Sequence, residues 1–182
     1  TDVATGQILA SGLQTGEAGD QNQIMRTPRF MGEPRYTSRP SGSFRATLQL
    51  DRPTLVEIAA QGPLAHPAAT QRASKTVLLI RGQDLTQDGL VLELNGFIVE
   101  ILQPPPGQPL RATEDVKLIA SIRLLSGAPL RPHGDWDSRR VKIYGEVLVG
   151  DRVVERLQLF YSGAKSHFEA PFFVPSPTDA PD

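Results

Sequence analysis

The sequence predicts an all-β fold, an antiparallel β-sandwich with an extended N-terminal strap and a C-terminal tail. The first observation is the segment Val141 to Tyr161, where apolar and polar residues alternate on both sides of Gly150-Asp151, as in a β-hairpin. The second is the content of 16 Gly and 16 Pro in 182 residues, which suits short strands joined by many turns. The third is the repeated return of short apolar runs between those turn residues.

The charges of the hairpin predict its register. A two-residue turn would place Glu146 opposite Glu155, and like charges directly opposite each other destabilise a sheet. A three-residue loop over residues 150–152 instead places Glu146 across from Arg156 and gathers most apolar residues of both strands on one face. We therefore predict the three-residue loop, with an apolar face that another layer has to cover.

The other elements are assigned in chain order. Residues 1–43 lack periodicity and are rich in Gly and Pro, so we assign them to the strap, and residues 162–182, which are rich in Pro, to the tail. Residues 44–161 between them form the predicted sandwich domain. The strands expected before the hairpin are 44–60 with a break at 51–53, 76–81, 90–94, 97–102 and 116–125. The loops expected between them are 61–74, the Pro-rich connector 104–107 and 126–140, and Asn95-Gly96 is the strongest short hairpin turn.

One segment resembles a known type of module. Thr76 to Val99, TVLLIRGQDLTQDGLVLELNGFIV, contains a strand, a turn of the form G-x-[ND]-[LF] and a second strand that ends near a Gly. It resembles the start of an IPT/TIG-type immunoglobulin-like module. The resemblance covers residues 76–99 only, and the Gly-rich entry of those modules is absent. It implies that the sandwich is immunoglobulin-like.

Composition and charge exclude several classes of function. A net charge of −1 indicates neither nucleic acid nor an anionic membrane as a partner. The absence of Cys removes disulfides, iron–sulfur clusters and thiolate zinc sites. Aromatic residues make up 6% of the chain, which is low for a surface that stacks nucleic-acid bases. No apolar run is long enough for a membrane helix, so we expect membrane contact only through partners.

The best chemical candidate is the loop His133-Gly134-Asp135-Trp136-Asp137. One imidazole and two carboxylates within five residues could bind a hard or borderline cation. The spacing lacks the pattern of a calcium loop, and no second His lies nearby. The competing interpretation is a polar loop in which an Asp caps a turn and Trp136 folds back onto the sandwich. The second interpretation is favoured, so we expect no cofactor, no metal and no enzymatic activity.

The strap contains the main candidates for partner binding. Between residues 25 and 45, five arginines stand against the single acid Glu33, aromatic residues lie between them, and a Pro recurs every six residues. Such an extended cationic segment suits another surface, because Arg binds carboxylates bidentately and aromatic rings anchor an interface. The alternative is that the strap lies over its own sandwich. The tail adds three Phe in FEAPFFV. The expected partner-binding residues are Arg26, Arg29, Phe30, Arg35, Tyr36, Arg39, Phe168, Phe172 and Phe173.

These observations favour a non-enzymatic structural or accessory subunit of a larger protein assembly, docked through its extended ends. The alternatives are a soluble ligand-binding module with a pocket between its sheets and, third, a metal-dependent enzyme that uses the loop 133–137. Arg outnumbers Lys by 15 to 4, which is typical of a GC-rich genome and fits a bacterial protein. We expect an exported protein of the periplasm or cell envelope, with a virion or appendage as the second setting.

Overall fold

The computed structural model describes residues 1–16, 20, 27–28, 30, 42–85 and 89–176. Seven strands and two single-turn 3-10 helices form within these residues, with no α-helix, which confirms the all-β prediction. None of the described helices has the length and hydropathy that a membrane span requires. The chain divides into two compact units, Thr1–Gly96 and Phe97–Asp182. The boundary between them falls inside the predicted domain 44–161.

The amino-terminal unit contains a two-stranded antiparallel sheet, β1 (Thr54–Gly62) paired with β2 (Gln71–Leu79). The connection is shorter than the expected loop, because Gln71 to Ser74 continue the ladder opposite residues 59–62. Residues 44–50 were expected to form a strand and do not, so only the part after the break at Asp51-Arg52-Pro53 is paired. Residues 71–74 are mostly polar, so their sequence pattern does not predict a strand. They form one because they pair with β1.

The carboxy-terminal unit is a five-stranded antiparallel sheet in the order β3-β4-β7-β6-β5. Its strands are β3 (Phe97–Gln103), β4 (Asp115–Leu124), β5 (Ile143–Val149), β6 (Arg152–Tyr161) and β7 (His167–Phe173). The expected hairpin around Asn95-Gly96 is wrong, because residues 90–94 form no strand and β3 pairs with β4 instead. Side chains that are paired across β3 and β4 lie on the same face of the sheet. β4 in turn connects β3 to β7, which belongs to the core.

One face of this sheet carries the core. Its buried cluster consists of Ala120, Ile122, Leu130, Leu157, Leu159, Phe168, Ala170 and Phe172. Leu130 and the partly buried Trp136 belong to the long connection 126–140, so this connection packs over the apolar face. Gly145 lies where a side chain would collide with the core, since a Cβ there would stand 2.6 Å from Leu118 Cδ2. The core therefore combines an antiparallel sheet with a cover of irregular chain.

Residues 162–182 are predicted to be a C-terminal tail, but part of this segment, His167–Phe173, forms the strand β7. This strand lies between β4 and β6, with Phe168, Ala170 and Phe172 on the core face. A Pro is rare in a central strand, because it has no N–H to donate. Ile122 N donates to Ser166 O, so the even-numbered residues of β4 and β7 form the backbone hydrogen bonds between these two strands. Pro171 thus turns its nitrogen away from β4, toward β6, whose pairing with β7 ends at Glu169.

The hairpin β5–β6 confirms the predicted pairing of Glu146 with Arg156 but reaches it differently. The turn has two residues, since Val149 pairs with Arg152, and a bulge on β6 shifts the register between Val147 and Leu148. The bulge inserts one residue into β6, so Glu146 meets Arg156 instead of Glu155. The prediction of a three-residue loop is therefore wrong, because the turn has two residues. The predicted pairing of Glu146 with Arg156, from which the loop was inferred, is confirmed.

Candidate functional site

The loop 131–140 uses its charged groups to hold its own shape. The Asp137 carboxylate accepts hydrogen bonds from Arg139 Nη2 at 2.6 Å, from Arg139 Nε at 3.0 Å and from the Arg139 backbone N–H at 3.0 Å. The His133 N–H reaches the same carboxylate at 3.4 Å. In the described ranges no group of three His, Asp or Glu side chains is placed to hold a metal ion. Asp137 therefore acts as the cap of the 3-10 helix Ser138–Arg140.

Trp136 takes the position that the polar-loop interpretation predicts. Its ring packs against the core cluster from the connection 126–140, and its backbone O accepts from Arg131 N at 3.2 Å. Its indole Nε1 is buried and has no hydrogen-bond partner among the residues that the structure describes. Burying an unpaired donor costs free energy, which the apolar contact of the large ring offsets. The loop thus covers part of the core, and Trp136 is its aromatic contact with the buried cluster.

The Arg139 guanidinium, which hydrogen-bonds to the Asp137 carboxylate, holds the pKa of that carboxyl well below its usual range. A carboxyl whose pKa is lower in the folded state stabilises the fold at pH values above its unfolded pKa, and this contribution is lost as the pH falls. We expect the free energy of unfolding to decrease below about pH 4. Asp137→Asn and Arg139→Gln should each reduce this decrease, and the double variant should add nothing further. Denaturant titrations between neutral and acidic pH measure it, and additive effects would contradict the pairing.

The structure separates the expected partner-binding residues into three groups. Arg26, Arg29, Arg35, Tyr36 and Arg39 lie outside the described residues and stay predictions. Phe30 lies within them and is 83% exposed.

The tail residues are divided by the pleat of β7. Phe168 and Phe172 are 2% and 8% exposed and belong to the core, so they cannot contact a partner and that expectation is corrected. Phe173, on the opposite face, is 67% exposed. Alternating side chains of a strand point to opposite faces, so one run of Phe serves the core and the surface together. Phe173 also borders an open groove of about 430 Å³, together with Val154, Glu155 and Val174.

The first residues of the strap lie along β1. Val3 N donates to Leu55 O at 3.0 Å, and Glu57 N donates to Thr1 O at 2.9 Å. The Asp2 carboxylate accepts from Ala4 N at 2.8 Å, and this hydrogen bond lowers its pKa. Asp2 is also bridged to Val56 in antiparallel fashion. Residues 1–3 thus add a short third segment to the two-stranded sheet.

The amino-terminal unit exposes much of its apolar surface. Among its described residues, only Val56 and Ala69 are buried apolar side chains. Its large apolar side chains with high exposure are Val3, Ile8, Leu13, Phe30, Phe44, Leu55, Leu64, Leu78, Ile80 and Leu85. Leu55 pairs directly with Leu78, and Ile80 follows directly after the end of β2 at Leu79. We call Leu55, Leu78 and Ile80 the leucine patch.

The sequence signal for the leucine patch was present but ambiguous. TVLLIR is apolar on both faces, which is typical of a strand buried on both sides. In the structure Val77 is partly buried, whereas Leu78 on the other face is about half exposed.

Comparison with protein-family models, curated proteins and solved structures finds no match to this chain.

Proposed function

We propose that this chain is a non-enzymatic structural or accessory subunit of a larger protein assembly. The observation that carries the proposal is the amino-terminal unit, whose described residues bury two apolar side chains and expose many. A two-stranded sheet is at best marginally stable in water by itself. Contiguous exposed apolar surface marks sites of protein–protein contact. A partner that covers the leucine patch would supply the missing burial.

The proposal extends to the setting and the finer fold. The setting is a bacterial cell-envelope complex, with a virion or appendage second. The strap contributes to docking through its arginines and aromatic residues. The fold is proposed to be an immunoglobulin-like sandwich, which the antiparallel pairing of the five-stranded sheet and the buried apolar cluster on one of its faces support.

The test is purification of the chain at native abundance, followed by determination of its mass. We expect a complex larger than the 19.8 kDa chain, in which other proteins are present. Leu78→Glu should release the chain from this complex, because a charge in a buried apolar contact is costly. Leu148→Glu is the matched control, since Leu148 is also about half exposed but lies on β5. Recovery of the wild-type chain alone would contradict the proposal.

A second experiment separates the strap from the patch. Deletion of residues 1–43 should weaken complex formation if the strap docks. A complex that forms unchanged would refute docking by the strap, and loss of folding would show that the strap supports its own unit.

A further inference from the structure

The edge strand β3 presents an open hydrogen-bonding edge. It is the first strand of the five-stranded sheet, and within the described residues β4 is its one neighbour. Ile122 N donates to Ser166 O and Leu124 N to Ala128 O, so these two residues of β4 direct their backbone away from β3. Their partners on β3, Val99 and Phe97, therefore form non-hydrogen-bonded pairs with β4. The N–H and C=O groups of these residues, and of Ile101 by the same alternation, point to the outer edge.

The same three residues expose their side chains. Phe97, Val99 and Ile101 pair with Leu124, Ile122 and Ala120, which places them on the core face of the sheet. They are 44%, 56% and 52% exposed, whereas Ile122 and Ala120 are buried. The core face therefore continues across β3 as an apolar stripe that the described part of the chain leaves about half exposed. Backbone groups and apolar side chains that could join another strand lie together on one edge.

The stripe is complementary to itself. We propose that β3 pairs antiparallel with β3 of a second copy of this chain, about a twofold axis at Val99. This register places Val99 opposite Val99 of the second copy and Phe97 opposite Ile101. All three residues with outward N–H and C=O groups then find a partner, and the two five-stranded sheets become one continuous sheet.

Other registers fit less well. A shift that centres the axis on Glu100 would set two carboxylates directly opposite each other. A shift that centres it on Ile98 would leave Ile101 opposite Asn95, outside the strand. In the proposed register Glu100 faces Ile98 of the second copy and keeps its ion pair with Arg123, at 3.0 Å, on the other face.

The pairing is also limited in length. The register of β3 with β4 shifts between Ile101 and Gln103, and Pro104 follows directly after the strand. A bulge and a Pro both stop further pairing at an edge. The edge is thus closed beyond the stripe, which favours one finite contact between two copies over open-ended aggregation. The inference rests on β3 alone and is independent of the proposed function.

The test uses the purified full chain and sedimentation equilibrium over a range of concentrations. The wild type should reach a dimer, while Val99→Glu and Val99→Lys should each weaken the dimer about tenfold or more. An equimolar mixture of the two variants should restore a dimer, because opposite charges then meet at the axis. Leu148→Glu on the opposite edge strand, β5, should dimerise like the wild type. A wild type that stays monomeric, or variants that dimerise unchanged, would overturn the proposal.

Cysteine variants provide a second measurement that needs no change of charge. The chain has no Cys, so a single introduced thiol can only bridge two copies. Val99→Cys should form a disulfide-linked dimer under mild oxidation, because the two residues face each other across the axis. Ile101→Cys should not, because each Ile101 faces Phe97. Equal cross-linking of both variants, or of neither, would refute the register.

Discussion

Truncation of the chain after Ser162 is expected to abolish the cooperative unfolding of the carboxy-terminal unit. The cut removes β7, which lies between β4 and β6 and pairs with both. Without it, the hairpin β5–β6 and the pair β3–β4 lose their connection through the sheet. The core also loses Phe168, Ala170 and Phe172 together. Such a loss is comparable with the whole stability of an ordinary domain.

The matched control is truncation after Ser176. It keeps all seven strands and the pairing of Val174 N with Glu114 O at 2.9 Å. Circular dichroism during denaturation should show a normal transition for this variant and none in the shorter one. If the chain that ends at Ser162 unfolds like the wild type, β7 does not hold the sheet together.

Phe168→Ala is expected to lower the free energy of unfolding by about 3–5 kcal/mol. The side chain is 2% exposed and sits in the middle of the core cluster. Its ring meets that of Tyr161 edge to face, with centroids 5.8 Å apart, and this contact adds to the burial. Removal of the ring leaves a cavity that the flanking strands can fill only in part.

Phe173→Ala is the control for that measurement, on the same strand. Phe173 points to the opposite face and is largely exposed, so its loss should change the free energy of unfolding by less than about 0.5 kcal/mol. Denaturant titration of both variants gives the comparison. Similar losses for the two would contradict the orientation of β7 in which Phe168 is in the core and Phe173 on the surface.

Local patterns in the sequence predict part of the strands but not which strands become neighbours in the sheet. The charges of Glu146, Glu155 and Arg156 were enough to predict the contact of Glu146 with Arg156, but not the pairing at the tip of the hairpin. The bulge that achieves this register lies on β6, where no Gly or Pro marks it. β4 was predicted from its alternation together with the strands expected on either side of it, because its composition would also tolerate a helix, and the structure confirms the strand.

The wrong strand predictions lie where pairing between segments that are distant in sequence determines the structure. Asn95-Gly96 is a strong local turn signal, yet β3 finds β4 across a connection that no local pattern describes. The Pro-rich end of the chain suggested a tail, because the sequence does not show which side of Pro171 faces an unpaired position. Whether a strand is at the centre or the edge of a sheet depends on all the others, so the sequence could not show that the stripe of β3 is exposed.

The position of Trp136 separates the two units spectroscopically. It is the single Trp of the chain, and it lies in the connection that packs over the core of the carboxy-terminal unit. Its indole fluorescence therefore changes when this connection leaves the core of the carboxy-terminal unit. Far-ultraviolet circular dichroism records the strands of both units. A difference between the two signals during denaturation would reveal which unit melts first, without any label.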